Sequence, residues 1–309
     1  MKEKTVTVLL ATFNSEEYIA EQIESLIKQT HQNFSVLVRD DGSKDGTNKI
    51  VDEFIKKDSR IKRLDSESPA GSAQGNFMRL LLQAEDSDYY MFCDHDDVWC
   101  ENKIEKTLEK MLEIERNNSP ALVHSDLFVV DGKLNVISDS MFASQKLSKH
   151  QMLKNTLIQN NVTGCTMMIN RALKELACKK KNTEQMLMHD WFLSILACAT
   201  GNVGFVDEPL ILYRQHGGNQ VGAKDASSAE YIAKKAMDSK GNKNSLQGTF
   251  AQAKMIAELY KEELGENYAV IKAYGEMLEQ GKFKRIQTCI KYGFWKNTLI
   301  RKIGQIVYL

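Results

Sequence analysis

The sequence predicts an α/β protein built on a mainly parallel sheet with helices on both faces, followed by a helical C-terminal region. Three observations predict it. Apolar, β-branched runs alternate with helix-period runs along roughly the first hundred residues, joined by short polar turns, as in βαβ units. Polar residues gather just after three of those runs, where open α/β sheets bind ligands. The last sixty or so residues carry helix-spaced apolar positions with little strand signal.

In order, TVTVLLAT (Thr5 to Thr12) reads as a strand, and Ile19, Ile23, Leu26 and Ile27 mark a helix. Asn14 with Glu17 three positions on predicts an N-cap and capping box for it. FSVLVRDD (Phe34 to Asp41) is the next strand, GSKDGT a turn, and Ile50, Val51, Phe54 and Ile55 the next helix. IKRLD, a helix around Phe77 to Leu82 and the strand YYMFCD repeat the alternation. Ile104, Leu108, Met111 and Leu112 then share a helix face. ALVHSDLFVV and VTGCTMMIN read as strands, MLMHDWFLSILACA as a helix apolar nearly all round and hence buried, and NVGFVD and LILYRQH as two closing strands. GGNQVGAKDASS and DSKGNKNSLQG predict loops.

With 309 residues and 42% hydrophobic content, the chain can bury a large core, as one domain or one domain plus an appendage. Forty-one cations balance 41 anions, so charge gives no argument for a nucleic-acid partner. The balance is uneven: from Gln280 to Leu309 there is no Asp or Glu, against Lys282, Lys284, Arg285, Lys291, Lys296, Arg301 and Lys302. The six cysteines form no Cys-x-x-Cys pair, the N-terminus lacks a signal-peptide pattern, and no run of about 18 apolar residues occurs. A cytoplasmic protein without a spanning helix is the expectation.

The three polar strand ends are ATFN, RDDGSKDGT and CDHDDVW. Asp94, Asp96 and Asp97 cannot all ionise side by side without a counter-charge, and a divalent cation such as Mg²⁺ or Mn²⁺ would supply one. The plainer alternative is a solvated acidic loop at the start of the following helix. Two enzyme classes place Asp-x-Asp after an apolar strand. A haloacid-dehalogenase-type phosphohydrolase would use Asp94 as nucleophile, and a nucleotide-sugar glycosyltransferase would hold a metal on the diphosphate. Some 90 residues of βαβ pattern precede the motif, which favours the second.

VTVLLATFNSEEYIAEQIESLIKQTHQNFSVLVRDDGSKDGT resembles the nucleotide-binding half of family-two inverting glycosyltransferases of the GT-A fold, and DHDDVW resembles their Asp-x-Asp motif. NNVTGCTMMIN, MHDWFLSILA and LILYRQHGGNQVG extend the resemblance from about Val6 to Gly222. DHDDVW together with YRQHGGNQVG is similar to bacterial rhamnosyltransferases of surface polysaccharides.

The resemblance implies that Thr12, Asn14 and Glu16 lie near the nucleotide and that Asp41, with Asp40 beside it, meets a pyrimidine base. It implies Asn76 and Arg79 near the nucleotide sugar, Asp94 at the ribose, and Asp94, Asp96 and Asp97 on the metal. Asp190 in MHDWF matches the family's base. The plainer alternative is an ordinary N-cap aspartate. Arg214 is expected to neutralise the diphosphate and His216 to complete the metal site, with the loop from Gly217 to Ser228 as a lid.

The implied reaction moves a hexosyl or deoxyhexosyl group, rhamnose by the nearer resemblance, from a dTDP- or UDP-sugar to a glycan or lipid-linked glycan. A catalytically silent glycan-binding protein of the same fold is the non-enzymatic alternative. Residues 1–222 are expected to form the catalytic domain and 223–309 a helical region. Its basic, aromatic end predicts contact with the inner face of the membrane, or else packing on the domain or a homodimer interface.

Overall fold

The computed structural model describes residues 4–65, 68–180, 185–216 and 239–309. The expected lid and the boundary at residue 222 lie outside them. β1 (Val6–Thr12), α1 (Ile19–Ile27), β2 (Phe34–Asp40), α2 (Thr47–Lys57), β3 (Ile61–Arg63), α3 (Ala73–Gln83) and β4 (Tyr89–Cys93) form the predicted alternation. β1 lies between β2 and β4, parallel to both, and β3 extends the parallel set beyond β2.

Side-chain alternation explains the burial of β1 and β4 on both faces. In β1, Leu9 and Ala11 enter one core, while Val6, Val8 and Leu10 enter the other. Tyr90 and Phe92 of β4 join the first core; Tyr89, Met91 and Cys93 join the second.

β5 (Val98–Trp99) and α4 (Lys103–Ile114) follow, then β6 (Ala121–Val130), β7 (Val136–Ser138), α5 (Met141–Gln145) and α6 (Leu153–Thr156). A 3₁₀ turn (Gly164–Thr166), β8 (Met168–Asn170), α7 (Arg171–Cys178), α8 (His189–Thr200) and β9 (Asn202–Arg214) complete the sheet region. The strand order is β3-β2-β1-β4-β8-β6-β9-β5, with β7 on β6. β8 runs antiparallel to β4 and β6, so the sheet is mixed and mainly parallel, as expected.

Four local expectations change. DSKGNKNSLQG, expected as a loop for its Gly, Ser and Asn content, lies from Ser239 onward in the helix Ser239–Leu259, whose later turns carry the buried apolar residues that hold it. VTGCTMMIN is a 3₁₀ turn followed by a three-residue strand. NVGFVD and LILYRQH are one strand, β9, whose register on β6 shifts around Asp126, opposite Pro209. Asn14 is not an N-cap: α1 starts after Tyr18 without a side-chain cap, and Asn14 sits at a left-handed φ of 45°.

α9 (Ser239–Leu259), α10 (Tyr268–Gly275), α11 (Lys282–Tyr292) and α12 (Leu299–Tyr308) form the helical end. Phe250 and Ile256 of α9, Tyr260 just after it, and Ile271 and Tyr274 of α10 share a core with Phe192 and Leu196 of α8. The Tyr260 hydroxyl donates to Ala177 O at 3.1 Å, and Asn267 donates to Ala199 O at 2.8 Å.

α11 and α12 are inverted relative to an ordinary surface helix. Arg285 and Gln305 face inward, while Phe283, Ile290, Leu299, Ile300, Ile303 and Val307 are more than half exposed. Arg285 reaches the carbonyls of Met277 and Leu309, and Gln305 those of Phe294 and, through its own oxygen, the Lys296 N–H. No helix among the described residues is long and apolar enough to cross a membrane.

Candidate active site

Parallel pairing places the ends of β1, β2 and β4 side by side, with Thr12 opposite Asp40 and Leu10 opposite Cys93. The three polar strand ends therefore form one rim. At its β2 end, Asp40 accepts bonds from Thr12 Oγ1 (2.9 Å), Asn48 Nδ2 (3.0 Å) and the Ser43 N–H (2.8 Å). Burial opposes the Asp40 charge, but these bonds win and hold its carboxyl below the usual range. Asp40 also lines a pocket of about 320 Å³ with Asn48, Arg63 and Pro69.

Asp41 is engaged differently. Its oxygens accept the Arg39 guanidinium at 2.9 Å and the N–H groups of Ala70 and Gly71. Arg39 is only 1% exposed and also donates to Asn76 Oδ1 at 2.7 Å. Asn76 returns its amide to the carbonyls of Arg39 and Thr12, so it is buried as a brace between strand ends. Arg79 donates to Ser68 O in the same segment. Asn14 and Glu16 are exposed and accept the N–H groups of Lys44 and Gly46, tying the loop after β1 to the turn after β2. Phe13, just before them, is 52% exposed.

The Arg39–Asp41 pair carries a stability prediction. Removing one partner of a buried pair leaves the other charge uncompensated, so Arg39→Met should cost about 3 kcal/mol in urea unfolding. A loss below about 1 kcal/mol would show that the pair is not a structural brace.

Beyond β4, the chain turns through Asp94 to Asp97 into β5, which pairs with β9: Val98 opposite Leu212 and Trp99 opposite Ile211. That pairing delivers Arg214 and His216 to the carboxylates. His216 Nε2 lies 2.8 Å from Asp96 Oδ2, and the His216 ring stacks on Tyr18 at 4.8 Å. Arg214 is buried. Its backbone N–H donates to Asp97 Oδ1, its Nε to Asp96 O at 2.8 Å, and its other nitrogens to Gly132 O and Glu21. Arg214 thus clamps the acidic loop.

Asp190 lies in the first turn of α8, not at its N-cap, which is Met188. Its carboxylate accepts the Gly164 N–H at 3.1 Å and the Trp191 N–H at 2.5 Å. A Cβ on Gly164 would come within 2.8 Å of His189 Nε2, so glycine permits the close approach of this turn to α8. Burial pushes the Asp190 carboxyl up to about 7, against the bonds from Trp191, Gly164 and Asn160.

Asp94 is also pushed up to about 7, by burial and then by the charges of Asp96 and Asp190. Asp97 is raised well above the ordinary range by burial, Asp96 and Asp94. The structure thus brings Asp94, Asp96, Asp97, Asp190 and His216 together.

Oxygen donors of Asp94 and Asp97 lie within 4.8 Å of each other and of Cys165 Sγ. Burial and both carboxylates push the Cys165 thiol well above its usual value, so it remains protonated. The donor set and its uncompensated charge fit a hard divalent cation better than a thiolate-seeking one.

Sequence reasoning passed over Arg39, Tyr18, Lys103 and the position of Cys165. Lys103 is fully buried with Nζ 4.5 Å over the Trp99 ring, and burial lowers its pKa to about 8. A charged residue amid an apolar helix face was the available signal.

With this geometry in place, the relatives are informative. The chain is 31% identical over 231 residues to dTDP-rhamnosyl transferase RfbG of Shigella flexneri, covering 72% of this chain and 76% of that one. It is 32% identical over 174 residues to UDP-Glc:alpha-D-GlcNAc-diphosphoundecaprenol beta-1,3-glucosyltransferase WfgD of Escherichia coli. There it covers 56% of this chain and 63% of the relative, less than two thirds of the latter.

The crystal structure of S. aureus TarS 1–349 in complex with UDP superposes with a TM-score of 0.55 at 18% identity, covering 95% of this chain and 93% of that one. At that identity it bears on the fold, which is GT-A-like. Residues 7–177 match Glycosyl transferase family 2, and with RfbG alongside, the chain belongs to that family of glycosyltransferases.

Proposed function

We propose that the enzyme transfers a sugar, with inversion, from a dTDP- or UDP-sugar to a hydroxyl of a lipid-linked surface glycan, with Asp190 as the base. The observation that carries this reading is a carboxyl poised near 7 beside the acidic loop, where a general base at neutral pH is most effective. The acceptor oxygen attacks the anomeric carbon and forms the new C–O bond. Its proton passes to Asp190, and the bond to the donor's diphosphate breaks with its electron pair.

Asp94, Asp96 and Asp97 would hold Mg²⁺ or Mn²⁺, with His216 completing the set; the closely spaced Asp94 and Asp97 oxygens support this. When bound, the ion would neutralise the leaving diphosphate. The donor's pyrimidine ring is assigned to the 320 Å³ pocket walled by Asp40, with Asp41 fixing that wall through Arg39. Thr12, Asn14 and Glu16 shape the adjoining rim, and Arg214 orients the acidic loop. RfbG supports a dTDP-rhamnose donor, and WfgD supports an acceptor on a polyprenyl diphosphate. Family membership leaves no place for Asp94 as a phosphohydrolase nucleophile.

A thermal-shift titration tests the reading. UDP or dTDP should raise Tm only with Mn²⁺ or Mg²⁺ present. No shift with either nucleotide at saturating metal would overturn it.

The outward apolar faces of α11 and α12, flanked by Lys282, Lys284 and Lys291, are assigned to an anionic bilayer surface. Replacing Leu299 and Ile303 by Ser should weaken binding to phosphatidylglycerol vesicles about tenfold. Unchanged partitioning, or a dimer that the same changes dissociate, would refute this assignment.

A further inference from the structure

A second pocket, of about 570 Å³, opens where α12 and the segment before it meet the stretch between α5 and α6. Lys146, Lys154, Lys296 and Lys302 line it, with Met152 and Asn297, and no carboxylate does. Lys146, Lys154 and Lys302 form no ion pair with any described carboxylate. The Asn297 side-chain nitrogen is buried without a hydrogen-bond partner. Four lysines lining one pocket whose wall also holds Asn297 make a site for a multiply charged oxyanion.

Its placement narrows the choice. On one side it adjoins the outward apolar surface, since Leu299 and Ile300 follow directly on its wall and Met152 is 52% exposed. On the other, it connects to the base. Asn155, also in its lining, donates to Trp295 O at 3.1 Å, and the next residue, Thr156, accepts the indole N–H of Trp191, the neighbour of Asp190. An oxyanion held here would have lipid on one flank and the acceptor side of the catalytic base on the other.

We propose that this basic pocket binds the diphosphate of a polyprenyl-linked acceptor and sets how far the glycan reaches towards Asp190. The inference rests on the lipid-linked acceptor proposed above. It assigns the recognition to a site outside the nucleotide rim. An ordinary anionic lipid, with one phosphate and no glycan, would share the chemistry but not the selectivity.

The test uses the full chain and phosphatidylcholine vesicles containing either a polyprenyl diphosphate or phosphatidylglycerol at matched surface charge. The expected result is about tenfold tighter binding to the diphosphate vesicles, lost in Lys154→Ala/Lys302→Ala and in Asn297→Ala. Residual binding to phosphatidylglycerol should survive through the apolar face. Equal affinity for the two vesicle types, a preference that outlasts both variants, or no vesicle binding would overturn the proposal. So would binding of inorganic diphosphate as tight as that of the vesicles, which would assign the pocket to a soluble ion. This readout needs no donor and no turnover. A chain that fails the metal and nucleotide test but passes this one would refute the transferase roles while leaving the pocket assignment standing.

Discussion

Asp190→Asn is expected to lower kcat by about a thousandfold, the middle of the range for losing a positioned general base. The amide preserves shape but cannot take the acceptor proton. Nucleotide affinity and its metal dependence should stay within twofold or so of the parent, because Asp190 serves the acceptor side. The pH profile gives an independent check. Only the ionised carboxylate is a base, so kcat/KM should rise with pH and level off above about 7, where burial has moved Asp190. The residual activity of Asp190→Asn should lack that limb. A variant retaining most of its activity would remove Asp190 from the role.

The second large effect concerns the acidic loop. A carboxyl whose folded pKa is raised binds its proton more tightly in the native state than in the unfolded one. Stability therefore falls as pH rises from the ordinary carboxylate range, near 4, through the folded value. For Asp94 that value is about 7, and Asp97 shifts in the same direction. The metal-free protein should lose Tm across this window. Mn²⁺ should restore it, with a larger gain at pH 7.5 than at pH 5, because protons and metal compete for the same oxygens. Asp96→Asn should abolish most of the metal-dependent gain and reduce turnover by roughly a thousandfold. A Tm gain from Mn²⁺ that is equal at both pH values, or that survives Asp96→Asn, would contradict the ligand assignment.

Much of the fold was legible because β1 and β4 are buried on both faces and bounded by short polar turns, so strand type and position follow from local pattern. The same logic singled out the three strand ends and the Arg214–His216 segment, whereas Asp190 came from the family resemblance of MHDWF. Long-range pairing was not legible. Nothing local in VW or LILYRQH says that Val98 pairs with Leu212, yet this pairing joins His216 to Asp96. Asn14 and Glu17 had the spacing of a capping box, but the Asn14 amide oxygen is taken by the Lys44 N–H. Tertiary contact displaced a local motif. For α11 and α12 the apolar spacing was visible, but which face looks outward was not: that depended on Arg285 and Gln305 finding carbonyls inside.

Asp190 sits on a helix, α8, whose outer side is packed by the C-terminal helices. Phe192 meets Tyr260 at 6.0 Å, the Leu187 N–H is held by Gln252, and the last turn of α8 is tied to Asn267. The family match, residues 7–177, ends before α8 begins at His189. Excising the C-terminal helices, or grafting them from a relative with another acceptor, would alter the foundation of the base along with any address the helices carry. Divergence in α9 and α10 can then retune catalytic rate without touching one residue of the nucleotide rim.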